Sequence, residues 1–478
     1  MPLPSYNRVK ILATAGPACQ DPAILRRLIL AGVDVLRLNL SHGTWDDHRH
    51  FIEAVRRLNL ELGTRVALLV DLQGPKMRVG RLEAPLNVRP GDEIYFSTHS
   101  LAGLTDLPVV PVEYETLARD VSPGDVVLVE DGRVQLEVLE TDRKGTVKLR
   151  VRAGDRIASR KGINLPGRPI SLPTLSEKDW EDLLEAARAQ VDWVAVSFVR
   201  TPRDIQEVRA FLRRLGAPMR IMAKIERPEA LHNLEAIVAE SDGVMVARGD
   251  LGVEIPLEQV PFWQKRIVST CNRLGKPVVV ATQMLESMIH QPTPTRAEVT
   301  DVANAVLDGA DAVMLSGETS VGAFPIETVR QMQSILQEAE KDPRIYRLPG
   351  RPDPASPTYH SDAVCWTACT LASEVEAKAL VGLTYSGYTA FQLARWRPHT
   401  DIFIFTPNPR ILNGLNLLWG VRAYYYRRHE STYYTIQDTL HILRDMGHVN
   451  RGDTVIITVS MPLRARLRTN TLYIAQVP

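Results

Sequence analysis

Eight short β-branched runs recur along this chain, at 9–14, 33–40, 65–72, 192–198, 219–225, 243–247, 277–282 and 312–315, with amphipathic stretches of helical period between them. Apolar runs of strand length alternating with helical patterns mark βα units and a parallel sheet. The runs read as unbroken apolar stretches because strands of such a sheet are covered on both faces. Eight repeats predict an α/β chain closed into a (β/α)8 TIM barrel, with functional groups at the C-terminal ends of its strands.

The rhythm breaks between the third and fourth runs. From 75 to 172 the chain turns to short alternating segments punctuated by Gly91-Asp92, Gly124-Asp125 and Gly154-Asp155. Hairpin-like segments at 126–130, 134–139 and 147–151, with Asp131-Gly132 and Lys144-Gly145 as turns, predict a small β-barrel lid domain inserted into a barrel loop. A Pro-rich linker at 348–359 precedes a helix (362–372), a strand (379–384), a Gly turn and a second helix (390–395), the opening of a C-terminal α/β domain. The expected division is 1–74 with 173–344 for the barrel, 75–172 for the lid and 345–478 for a regulatory domain. A chain of 478 residues has the length for such a set.

Charge and composition narrow the partners. A formal net charge of +1 gives no long-range pull on nucleic acid or an anionic membrane. No run of eighteen apolar residues occurs, and the opening Met1-Pro-Leu-Pro-Ser-Tyr-Asn-Arg8 lacks the apolar stretch of a signal peptide. A cytoplasmic protein with neither membrane nor nucleic-acid partner is expected. Four cysteines in this length make no disulfide framework. Cys19 and Cys271 stand alone, and Cys365 and Cys369, one helical turn apart, read as buried helix residues rather than metal ligands.

The strand ends carry the chemistry. Run two ends Arg37-Leu38-Asn39-Leu40-Ser41, where alternation sends Arg37, Asn39 and Ser41 to one side. Run three ends in Asp71, an acid after the apolar stretch 66–70 that must be paired or bound to a cation. Run five ends Lys224-Ile225-Glu226, and run six is followed by Arg248-Gly249-Asp250. A carboxylate from each of two adjacent strands, with a lysine beside one of them, suits a hard divalent cation plus a phosphate. The same four ionisable groups could instead form a structural salt-bridge network, but their clustering at strand ends of a barrel favours a site. Thr282 and Gln283 after run seven, and Ser316-Gly317-Glu318 after run eight, add groups able to position water.

Together these segments resemble the pyruvate kinase family. The resemblance rests on Arg37-Leu-Asn-Leu-Ser-His-Gly-Thr44, Met222-Ala-Lys-Ile-Glu226, Met245-Val-Ala-Arg-Gly-Asp-Leu-Gly252, Ala281-Thr-Gln-Met-Leu-Glu-Ser-Met288 and Leu315-Ser-Gly-Glu-Thr319. It also rests on Pro294-Thr-Arg-Ala-Glu298 and on the run from Asp301 to Ala310, all in family order from about Lys10 to the C-terminus. It implies transfer of a phosphoryl group from phosphoenolpyruvate to ADP, giving ATP and pyruvate. It implies Mg2+, or Mn2+ in its place, on Glu226 and Asp250, with Lys224 and Arg37 against the transferring phosphate. Thr282, backed by Ser316 and Glu318, would arrange the water that protonates the enolate. The backbone amides of Arg248, Gly249 and Asp250 would take the substrate carboxylate. Thr14, Pro17, Asn39, His42, Arg78 and Lys161 fall at nucleotide-side positions, and a homotetramer is implied.

One segment departs from the cation-dependent pattern. Where K+-requiring members carry a glutamate, this chain has Lys76, in Leu72-Gln73-Gly74-Pro75-Lys76. Asn39, Ser41, Asp71 and Leu72 still match the family's K+ ligands, but a tethered ammonium can supply the same positive charge. Activity independent of K+ is therefore expected.

In the C-terminal domain, Thr384, Ser386, Gly387 and Thr389 surround a turn before a helix. Hydroxyls and a glycine there form a phosphate cradle resembling the family's effector loop, although an ordinary capped turn has the same look. Arg464, Arg466 and Arg468 bring positive charge where many relatives have a Gly-rich loop, so a phosphorylated effector is expected. Tyr424-Tyr425-Tyr426-Arg427-Arg428 reads as a strand with a charged end rather than a nucleic-acid patch. Asp46-Asp47-His48-Arg49-His50 reads as the first turns of a helix after Thr44 rather than a metal site. Two rivals are a catalytically silent metabolite sensor on the same fold and another Mg2+-dependent barrel enzyme of pyruvate or enolate chemistry.

Overall fold

The computed structural model describes residues 6–75, 77–101, 105–168, 170–346, 350–427, 431–463 and 467–478. Lys76, Arg428, Arg464 and Arg466 lie outside them.

Eight strands form the barrel: β1 (Lys10–Thr14), β2 (Val35–Asn39), β3 (Ala67–Asp71), β4 (Trp193–Val196), β5 (Arg220–Ile225), β6 (Gly243–Ala247), β7 (Val278–Ala281) and β8 (Ala312–Leu315). All are parallel, they pair in chain order, and β8 closes on β1. Several are shorter than their apolar runs. Val33 and Leu40 flank the β2 ladder yet stay buried, because an apolar run reports burial, whereas a ladder requires pairing.

The strands are covered on both faces, as their composition demands. Leu12, Val35, Leu69, Trp193, Met222, Met245, Val279 and Met314 fill the interior, and Leu417 and Phe391 from the C-terminal domain join the same cluster. The outward-facing set packs against the surrounding helices.

An aspartate precedes every even-numbered strand and accepts an N–H from the strand before it. Asp34 takes Ile11 N at 2.9 Å, Asp192 takes Leu68 N at 2.8 Å, Asp242 takes Ile221 N at 2.9 Å and Asp311 takes Val278 N at 2.9 Å. Each satisfies a backbone donor that the barrel's N-terminal rim would otherwise bury unpaired. The C-terminal domain docks on this rim. Asn416 donates to Asp34 Oδ1 at 3.4 Å, Arg397 pairs with Asp311 at 3.3 Å, and Trp193 Nε1 donates to Gly414 O at 2.9 Å.

The insertion is a seven-stranded sheet in the order 77–78, 162–164, 126–129, 134–141, 146–153, 93–97, 109–111. Its two edges meet through the Val79–Val112 bridge, with Gly80 N to Pro111 O at 2.7 Å and Glu113 N to Arg78 O at 2.9 Å. The sheet thereby curls into a small barrel with its own apolar core. In the C-terminal domain, strands 421–425, 401–406, 379–383 and 454–459 are parallel, and 471–476 adds an antiparallel edge. The Tyr424 segment is a strand (Val421–Tyr425), and Asp46 and Asp47 lie in the first turn of helix Trp45–Leu62, capped by Thr44. All four cysteines are buried and free.

Candidate active site

The C-terminal rim gathers side chains from β1 to β5 into one hydrogen-bonded chain. Arg37, the register partner of Thr14 in the last of the three β1–β2 pairs, donates from Nε to Asp71 Oδ2 at 2.7 Å and from Nη1 to Thr14 Oγ1 at 3.1 Å. Thr14 Oγ1 donates onward to Leu315 O at 2.8 Å. Lys224 Nζ lies 3.3 Å from Asp71 Oδ1 and 2.8 Å from Glu226 Oε1, and donates to Ser197 Oγ at 2.8 Å. Ser197 in turn donates to Leu72 O at 2.7 Å. Two cations and two carboxylates therefore share one buried cluster, in which Asp71 is 1% and Glu226 0% exposed.

The electrostatics follow from that crowding. Burial opposes the charge on Asp71, but Lys224 and Arg37 outweigh it and hold the carboxyl below its ordinary range. Burial likewise opposes the Lys224 charge, and Asp71, Glu226 and Asp250 together overcome it and keep the ammonium protonated. Glu226 goes the other way. Burial pushes its carboxyl up; Lys224 offsets part of this, and the like charge of Asp250 adds to it. Phe198 N donates to Glu226 Oε2 at 2.6 Å, whereas Oε1, despite the nearby ammonium, receives no hydrogen bond of acceptable geometry. Among the described residues no group of three or more His, Cys, Asp and Glu forms a metal cluster; Asp250 stands near enough to Glu226 for its like charge to be felt there. A pair suits Mg2+, which keeps water and substrate oxygens in its remaining positions.

β6 and β7 shape the other wall. Helix Arg248–Glu254 starts directly at the end of β6 and carries Asp250 in its first turn. The Gly249 N–H donates to Thr282 Oγ1 at 2.8 Å, and the Thr282 hydroxyl donates to Ala281 O at 2.6 Å. Thr282 and Gln283 both have left-handed backbones, φ 69° and 54°, which is costly for a β-branched residue. The Arg248 guanidinium is tied into this wall, pairing with Asp301 at 2.8 Å and donating to Ala281 O at 3.2 Å and Thr282 O at 2.5 Å. What Arg248 can offer a ligand here is its backbone. Glu318 is buried and accepts from Ser316 N at 2.7 Å and Leu285 N at 3.2 Å.

The remaining candidates spread outward. Pro17 opens a short turn after β1 and is exposed, as is His42. Asn39 Oδ1 accepts from Ser41 N at 3.2 Å. Gly74 has φ 69°, and a Cβ there would stand 2.7 Å from the Phe198 ring, so only glycine lets the loop after β3 pass so close. On the inserted domain, Arg78 and Gly162 are register partners beside Lys161, whose ammonium pairs with Glu130 at 2.7 Å.

The effector-loop candidates lie together in the C-terminal domain. Thr384, Ser386 and Thr389 line a cavity of about 640 Å³ together with Arg427 and Arg468. Gly387, φ 87°, caps helix Tyr388–Arg395, and its N–H donates to Thr384 Oγ1 at 3.0 Å. Arg220, the first residue of β5, stacks on Phe391 at 4.4 Å and reaches Ser386 O at 3.5 Å.

Sequence reasoning missed Ser197 and the Phe198 amide. A single serine after Trp193–Val196 looks like any strand end, and a backbone donor leaves no trace in composition.

A barrel whose strand ends pair lysine and arginine with carboxylates is built for a phosphorylated substrate. The sequence comparisons agree. The family model for the pyruvate kinase barrel domain matches residues 6–329, and that for the pyruvate kinase alpha/beta domain matches 362–475. A pyruvate kinase of Agrobacterium vitis is 42% identical, covering 99% of this chain and 99% of its own length. One from Mycobacterium tuberculosis is 42% identical over 98% of each chain. The crystal structure of a pyruvate kinase from Cryptosporidium parvum superposes with a TM-score of 0.91 at 34% identity, covering 99% of this chain and 96% of that one. The chain belongs to the pyruvate kinase family, phosphotransferases that act on phosphoenolpyruvate and ADP.

Proposed function

We propose that the rim from β1 to β8 carries out this reaction in glycolysis with a specific division of labour. The observation that carries the proposal is the Lys224 ammonium held between Asp71 and Glu226, at 3.3 and 2.8 Å, in one buried cluster with Arg37. Glu226 and Asp250 would hold Mg2+, or Mn2+ in its place, which when bound neutralises charge on phosphate and enolate oxygens. Lys224 stays protonated and lends its charge to the phosphoryl group in transit, where it counts most. Arg37, fixed by Asp71 and Thr14, faces the same phosphate. The amides of Arg248, Gly249 and Asp250 take the substrate carboxylate, for which Gly249 exchanges its Thr282 partner. Thr282, Ser316 and Glu318 then orient the water that delivers a proton to the enolate carbon.

Thr14, Pro17, Asn39, His42, Arg78 and Lys161 line the nucleotide side, the last two on the inserted domain acting as a lid. The domain division is 1–74 with 173–344, 75–172 and 345–478. K+ independence is supported by the former cation ligands, which already have partners: Asp71 is paired with Arg37 and Lys224, and Leu72 O accepts from Ser197. A phosphorylated effector fits Thr384, Ser386, Gly387 and Thr389, with Arg468 and Arg427 lining the same cavity. Exposed Phe262 and Leu257, 74% and 72% accessible, suit burial between subunits of a homotetramer. No helix among the described residues is long and apolar enough to cross a membrane, in keeping with a cytoplasmic enzyme. Pyruvate formation from phosphoenolpyruvate and ADP, followed in a coupled assay with and without Mg2+, tests the reading. No turnover under either condition would overturn it.

A further inference from the structure

Residues close in the chain to the two proposed metal carboxylates form a second buried ion pair that also contacts the inserted domain. Arg227 follows Glu226 in the chain, and Glu254 lies one helical turn after Asp250 on helix Arg248–Glu254. Both are buried, at 2% and 4% exposure. Arg227 Nη1 meets Glu254 Oε1 at 2.9 Å. From this pair two arms reach the strap by which the insertion returns to the barrel. Arg227 Nη2 donates to Arg168 O at 2.8 Å, and Asn164 Nδ2 donates to Glu254 Oε1 at 3.1 Å. Asn164 ends the strand Gly162–Asn164 that pairs with Met77–Arg78, and it stands three residues after Lys161. Glu254 Oε2 is buried and has no partner. A buried ion pair with one oxygen unserved contributes little to stability for its own sake; what it does here is tie the turn after Glu226, the helix of Asp250 and the inserted domain together.

We propose that Arg227 and Glu254 are positioning residues that set the spacing of Glu226 against Asp250 and couple that spacing to the pose of the inserted domain. The pair touches no substrate. Arg227 fixes the backbone turn directly after Glu226, Glu254 fixes the end of the helix that presents Asp250, and the arms to Arg168 and Asn164 hold the base of the strand pair bearing Lys161 and Arg78. Substituting the pair therefore acts on both metal and nucleotide, whereas cutting one arm acts on the nucleotide alone. This inference rests on the assignment of Glu226 and Asp250 as metal ligands.

The test uses the full-length protein in three variants: Glu254→Gln, Asn164→Ala and, as the reference for the metal assignment, Glu226→Gln. Mn2+ binding without substrate is measured by electron paramagnetic resonance, and kcat and KM for ADP and phosphoenolpyruvate are measured separately. Glu254→Gln is expected to weaken Mn2+ binding by about tenfold or more, the usual effect of removing a partner behind a metal ligand, and to raise KM for ADP. Asn164→Ala, whose side chain is half-buried on the insertion, is expected to leave Mn2+ binding intact while raising KM for ADP more than that for phosphoenolpyruvate. Wild-type Mn2+ affinity in a folded Glu254→Gln protein, with Glu226→Gln impaired, overturns the proposal and leaves the metal assignment standing. Unchanged Mn2+ binding in Glu226→Gln overturns the metal assignment itself. If Glu254→Gln does not fold, Asn164→Ala decides, and an unaltered KM for ADP there overturns the coupling.

Discussion

Thr282 bridges β7 to β6 through Gly249: its hydroxyl oxygen accepts the glycine N–H at 2.8 Å while its own proton goes to Ala281 O. The residue holds this pose with φ 69°, so local strain is stored where water is to be positioned. Thr282→Gly is expected to remove roughly 1–3 kcal/mol of strain and raise Tm, while lowering kcat. Calorimetry and steady-state kinetics on the same preparation check both halves. A variant that gains stability and keeps its turnover would remove Thr282 from the proton-delivery step.

Lys224→Met is expected to cut kcat by roughly two to three orders of magnitude with a small change in KM for phosphoenolpyruvate, because the ammonium acts on charge that develops in the transition state. The substitution also leaves Asp71 and Glu226 short of a counter-charge, so stability should fall, an effect of order 3–5 kcal/mol for a buried pair. Denaturant unfolding separates this loss from the kinetic one.

If the proposed K+ independence holds, activity in buffer free of Na+ and K+ is expected to stay close to the rate with K+ present. Lys76→Glu is expected to make the rate depend on added K+. Initial rates across a K+ titration of both proteins decide the matter.

Asp192 supplies a pH test remote from the chemistry. Burial pushes its carboxyl up to about 6, only partly offset by the Leu68 N–H. An acid whose folded-state pKa is raised favours folding most below its ordinary value, and this contribution is lost as pH climbs from about 4 through 6. Asp192→Asn keeps an acceptor for Leu68 and cannot ionise. Relative to this variant, wild type is expected to lose stability steadily from pH 4 to 6.5, with the difference constant above pH 7. A flat difference across that window would place the Asp192 pKa in the ordinary range.

How much of this was legible in the sequence depends on what each residue's role required. Lys224, Glu226 and Asp71 could be read because an ionisable group after an apolar strand has few bland explanations. The eightfold rhythm gave the barrel for the same reason: burial on both faces writes itself into composition. Ser197 could not be read, since one hydroxyl at a strand end is commonplace. Arg227 and Glu254 were hidden because their meaning lies in Arg168 and Asn164, residues of another domain. The pairing of Arg248 with Asp301 across helices depends on tertiary packing, and so does the entry of Phe391 and Leu417 into the barrel floor.

Arg220 has one more consequence. It opens β5, with its guanidinium against Phe391 and the Ser386 carbonyl, and Lys224 stands four residues further along the same strand. At about 3.3 Å per residue the two lie roughly 13 Å apart, joined by a backbone that is hydrogen-bonded to β4 and β6 on either side. Such a rod neither stretches nor buckles appreciably. The start of β5 is thus fixed from the C-terminal domain and its end carries Lys224, so the two domains share a strand whose position neither sets alone.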